Sequence, residues 1–145
     1  MFDLLNFTIA APLLALAAGA LVVLLLDLLL PARKAHPLWF LFSLLSVVLA
    51  GYYLVPNWGK GYTGFGGSMV MDQFGLVFCL VLLVTAFLTI LLSMGRTEKD
   101  LSGYLALILW ATMGMMVMAT AGSLMTLFLG IELLSLAIYV AVAFE

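Results

Sequence analysis

One acidic residue stands inside an otherwise apolar stretch of this sequence. Leu124 to Phe144 reads LMTLFLGIELLSLAIYVAVAF, and Glu132 is its only charge. A run of roughly 20 apolar residues at ~1.5 Å of rise per residue matches a hydrocarbon core of ~30 Å. Glu132 lies about 12 Å into that run, near the middle of a bilayer. An acid there costs on the order of 2.5–3.5 kcal/mol on insertion scales, so it calls for a partner or a use. Charged groups in spans usually mark ion pathways. In low dielectric a carboxylate favours its protonated form, and a nearby ammonium favours the ionised one. Ser135 and Tyr139, three and seven residues on, share its helical face, which continues through Phe128 and Met125. The competing reading makes Glu132 a structural hydrogen-bond partner of a neighbouring helix.

Other residues with chemical potential are weaker candidates. Thr85, Thr89 and Ser93 recur every four residues. Such a stripe could border a hydrated path, although bonding to backbone carbonyls is the commoner use of hydroxyls in a span. The candidate polar path is therefore Ser135, Tyr139, Thr85 and Thr89. Asp27 sits one turn before Pro31, and an interfacial ion pair with Arg33 or Lys34 is favoured over a buried proton site. Met113, Met115, Met116 and Met118 fall on different helical faces and read as pliable packing. Cys79 is the only cysteine and His36 the only histidine. An intrachain disulfide, a cysteine-held cluster and a bis-histidine haem are thereby excluded within this chain. No metal site is expected. The glycines between Gly59 and Gly67 lack the G-x-x-x-x-G-K-[ST] spacing of a phosphate loop.

The elements that must position Glu132 follow from composition. The 145 residues are 67% hydrophobic and only 8% charged, which defines an integral membrane protein. Nothing resembles a basic nucleic-acid face. The expected fold is all-α, a polytopic bundle of about five transmembrane helices forming one membrane domain over residues 1–145. The spans are predicted at 9–30, 38–55, 74–94, 103–120 and 124–144. In the first, Pro12 falls in the opening turn, and Ala11, Ala15 and Gly19 make a smooth stripe for close helix approach. The N-terminus reads as a retained helix rather than a cleaved signal, because its first charge is Asp3 and the apolar run continues past Ala17. Trp39, Tyr52 and Tyr53 suit membrane interfaces. Pro31 to Pro37 reads as a basic turn. Pro56 to Met71 reads as a flexible surface loop with a short extended piece at Ser68–Met71, and Asp72 as the cap of the third helix. The tight turn at Ala121-Gly122-Ser123 makes the last two spans antiparallel neighbours, with the fourth expected to help shield Glu132.

Arg33, Lys34, Arg96 and Lys99 fall in two turns on one side, against Lys60 on the other. The positive-inside rule then places residues 31–37 and 95–102 in the cytoplasm and the N-terminus outside.

The segment Leu127-Phe128-Leu129-Gly130-Ile131-Glu132-Leu133-Leu134-Ser135-Leu136 resembles the fifth transmembrane helix of subunit N of the proton-pumping NADH–quinone oxidoreductase, respiratory complex I. The antiporter-like subunits of that complex are similar there. The preceding spacing also fits: a short extended piece, Asp72, a polar turn, then Tyr104-Leu105-Ala106-Leu107 opening the fourth helix. The resemblance implies that Glu132 pairs with a lysine on a later helix and takes part in proton transfer. Members of the family have about fourteen spans, with inverted five-helix repeats. This sequence corresponds to the first five, so it is expected to be a fragment or to be completed by a second chain. The implied partners are the other membrane subunits and the bilayer. No cofactor is expected in this chain; NADH, FMN, iron–sulfur clusters and quinone belong elsewhere in such a complex. Two alternatives stand beside this reading. One is a subunit of a multisubunit Na+/H+ antiporter or membrane-bound hydrogenase. The other is a structural membrane subunit with no ion-transfer role.

Overall fold

The computed structural model describes residues 4–30, 32–95 and 100–143, without the side chains of 32–35. Five helices are long and apolar enough to cross a membrane among these residues. They are α1 (Leu4–Leu29), α2 (Ala32–Leu54), α3 (Gln73–Leu92), α4 (Leu101–Ala119) and α5 (Leu124–Ala143). Two short strands, β1 (Tyr62–Gly64) and β2 (Met69–Met71), pair between α2 and α3. In lipid every backbone polar group must be satisfied internally, so uninterrupted apolar runs of this length become helices.

Helix α4 is the centre. It packs against α1, α2, α3 and α5, while α1 also lies on α2, and α2 on α3. The core is built from Leu105, Leu109 and Met116 of α4, Leu16 and Val23 of α1, Val47 and Ala50 of α2, and Leu76 and Leu83 of α3, all buried. Close packing rather than water exclusion holds helices together in lipid, and small residues permit it. At Gly19 of α1 an added methyl would land on Ser46 of α2. That contact uses the small-residue stripe anticipated for the first span.

Three expectations about the first two helices change. Helix α1 begins at Leu4, so Pro12 sits in its third turn, not its first. The residues ahead of it are apolar enough to join the span, and a proline inside a transmembrane helix is tolerated where neighbours cover the freed carbonyl. Helix α2 begins at Ala32, so the segment read as a basic turn is mostly helical and Pro37 lies in the second turn. Ala, Arg and Lys are good helix formers, and the proline removes only one intrahelical bond. This longer helix carries Trp39 inward. Trp39 is fully buried rather than an interface anchor, with its ring 4.9 Å from that of His36. Tyr52 and Tyr53 remain exposed, as interface residues should be.

Among the described residues the Trp39 indole N–H has no hydrogen-bond partner. Trp39→Phe removes that orphan donor with modest loss of volume. It is expected to change stability by less than about 1 kcal/mol, whereas Trp39→Ala should cost about 3–5 kcal/mol. Thermal unfolding of the purified protein in detergent compares the two.

The connection between α2 and α3 is ordered. The strands pair antiparallel, Tyr62 with Met71, Thr63 with Val70 and Gly64 with Met69. Their turn holds Phe65 at φ 52° and Gly66 at φ 66°, a conformation that glycine adopts freely and phenylalanine does not. The Asn6 side chain accepts from the Phe65 N–H at 2.9 Å and holds that turn against the start of α1. On the other side, Val70 N–H donates to Thr120 O at 2.8 Å and Gly122 N–H to Ser68 O at 2.9 Å. Met69 also bridges Ala121. The extended piece expected at Ser68–Met71 is β2, but the loop around it is a pinned hairpin rather than a free one. Asp72 caps α3 as anticipated, its Oδ1 accepting from Gly75 N–H at 2.7 Å.

Candidate functional site

Helix α5 carries the acid. Ser123 starts the helix: its Oγ accepts from Thr126 N–H at 3.2 Å and lies 2.9 Å from Thr126 Oγ1. The buried residues of α5 are Thr126, Gly130 and Ala137. At about 100° per residue, these three fall within about 40° of one another. They form the seam against α4. Glu132 is two residues past Gly130, so it points about 200° away from it. The side chain is accordingly exposed.

This corrects one expectation: α4 does not shield Glu132, because it occupies the opposite face of α5. The rest of the anticipated face is in place. Met125 (69% exposed), Phe128 (55%) and Tyr139 (70%) stand exposed on the Glu132 side, and Ser135 is half-buried beside them. Lys60 is the only lysine or arginine whose side chain is described, and it lies over the Tyr62 ring at 5.9 Å from the centroid. Among the described side chains Glu132 makes no ion pair.

The hydroxyl stripe on α3 is engaged by its own backbone. Thr85, Thr89 and Ser93 donate to the carbonyls of Val81, Thr85 and Thr89 at 2.8, 2.8 and 2.7 Å. Helix α3 packs on α2 and α4, and α5 packs on α4. Thr85 and Thr89 thus sit on a different helix from Ser135 and Tyr139. Asp27 is exposed near the end of α1, and the ion pair expected with Arg33 or Lys34 lies outside the described side chains. Among the described residues no group of three His, Cys, Asp or Glu side chains comes together.

Sequence reasoning missed the seam itself. Where α4 crosses α5, a methyl added at Gly130 would lie 2.6 Å from Met118 Cγ, 2.9 Å from Met118 N and 3.0 Å from Gly114 O. One added at Gly114 would lie 2.9 Å from Leu134 N. The signal was present as Gly130 and Ala137 on one face, since small residues mark the closest helix contacts in membranes.

Five apolar helices with α4 at their centre, and an acid on the outer face of the last, define a polytopic helical membrane protein. No family model matches the chain. Individual relatives do. The chain is 58% identical to NADH-quinone oxidoreductase subunit N 1 of Symbiobacterium thermophilum, over 97% of this chain and 29% of the relative. It is 35% identical to subunit N of Trichlorobacter lovleyi, over 100% and 30%, and 40% identical to subunit N 1 of Koribacter versatilis, over 96% and 30%. Over nearly its whole length the chain is similar to the matching part of these NADH-quinone oxidoreductase N subunits. It spans about 30% of the length of these curated relatives.

Proposed function

We propose that this chain is part of the membrane arm of a proton-translocating NADH–quinone oxidoreductase, with Glu132 as its intramembrane proton-transfer carboxylate. The observation that carries the reading is the placement of Glu132. It is the only acid of α5, and it stands on the face that α4 leaves uncovered, with Ser135 and Tyr139. A cation brought against that face by another helix would favour the ionised carboxylate, and its withdrawal would favour proton uptake. Ser135 and Tyr139 supply hydroxyls along the same face toward one membrane surface. Electron transfer from NADH to quinone, with its flavin and iron–sulfur groups, is assigned to other subunits. The cation is a lysine on a later helix. Residues 31–37 and 95–102 face the cytoplasm and the N-terminus the outside of the inner membrane.

Purification of the tagged full-length protein from native membranes tests the assignment. Recovery with NADH-oxidising and quinone-reducing subunits is the expected result. Recovery with hydrogenase or antiporter subunits instead overturns it.

A further inference from the structure

We infer that the Gly114–Gly130 crossing is a positioning device for Glu132: it fixes the rotation of α5 and so aims the acid away from α4. The inference rests on the proton-transfer reading of Glu132.

Among the described residues α5 has α4 as its main packing partner, so within this stretch one seam sets the angle at which it presents Glu132. The contact is unusually close. The positions a β-carbon would take at Gly130 and at Gly114 are occupied by the backbone of the opposing helix, at 2.9–3.1 Å for Met118 N, Gly114 O, Leu134 N and Gly130 O. Two helix backbones in direct contact cannot rotate against each other without separating, because any side chain turned into the contact is larger than hydrogen. Thr126 and Ala137 continue the seam one turn before and two turns after Gly130, so the constraint runs along the helix. Gly130 is two residues from Glu132, close enough that a rotation at the crossing carries the carboxylate with it. Proton transfer needs donor and acceptor within hydrogen-bond reach, so a small rotation is enough to change its rate.

Other parts of α5 contribute less to this aim. Leu133 and Leu134 flank the crossing but are only half-buried. Gly51 of α2 shows what an unconstrained glycine looks like here: the nearest atom to an added methyl is 4.0 Å away. Gly130 and Gly114 are therefore distinguished by geometry, not by residue type.

The test is Gly130→Ala in the full-length chain within the assembled complex, with Glu132→Gln made in parallel. Assembly is read on native gels, and the readout is protons moved per NADH oxidised. Gly130→Ala is expected to assemble and to lower that ratio by about threefold or more. The second substitution Met118→Ala, which removes the nearest obstructing side chain, should restore part of the loss. An assembled Gly130→Ala complex with an unchanged ratio overturns the inference, as does a loss that Met118→Ala leaves untouched. Should Gly130→Ala fail to assemble, Ala137→Gly takes its place. It deletes one methyl from the same seam and should lower the ratio by a smaller factor, and an unchanged ratio again overturns the inference. The parallel variant separates the two readings. If Glu132→Gln pumps normally, the proton-transfer role itself is lost. If it fails to pump while Gly130→Ala pumps normally, only the positioning role is lost.

Discussion

Glu132→Gln in the full-length chain is expected to leave assembly intact and to lower proton pumping by about tenfold or more. Glutamine keeps the length of the side chain and can donate and accept hydrogen bonds, but it cannot release a proton in the accessible range. It is also easier to insert, since an ionisable group is removed from an apolar helix. A structural role would therefore survive the change, and a proton-carrying role would not. Membrane vesicles oxidising NADH, with a dye that reports acidification, give the rate, and quinone reduction with an uncoupler present gives the electron flux. Pumping at the unmodified rate in a fully assembled variant rejects the role assigned to Glu132.

Gly122→Val is expected to release the hairpin and to destabilise the protein by about 2–6 kcal/mol, the sum of overpacking and two lost backbone hydrogen bonds. Gly122 is exposed to solvent on one side. On the other, its missing side chain is replaced by the hairpin itself: a methyl there would strike the Gly67 carbonyl oxygen and approach Val70 Cγ2 to 2.8 Å. The turn has to open to make room. Opening it removes the bonds from Gly122 N–H to Ser68 O and from Val70 N–H to Thr120 O. Lys60 lies in the loop that these bonds hold, so trypsin should cut after Lys60 faster in the variant, and the unfolding temperature should fall. Unchanged digestion and unfolding would show that the hairpin is held by other contacts.

The number of helices was legible because each apolar run is long enough to cross a bilayer and is closed by prolines, glycines or charges. The cap at Asp72 was legible for a local reason: an acid immediately ahead of an apolar run finds free backbone amides. Strand β1 was not. Tyr62–Gly64 is three residues long, has no periodicity of its own and is extended because β2 lies beside it. Trp39 was misread because a tryptophan near the start of an apolar run looks like an interface residue, whereas α2 continues backward through Ala32 and draws it into the core. The site divided in the same way. The face shared by Glu132, Ser135 and Tyr139 follows from helical spacing alone. Which way that face turns depends on a contact with another helix, and spacing within α5 cannot supply it.

The hairpin has a consequence for biogenesis. Two helices separate Asn6 from Phe65, and two more separate Val70 from Thr120. An even number of crossings returns the chain to the leaflet it left, so these partners meet only when every intervening segment has threaded. One skipped crossing would strand Asn6 or Thr120 on the far side of the bilayer, and the hairpin would lose that anchor. The small sheet therefore has all of these bonds only when both of its flanking helix pairs return to the same side of the bilayer.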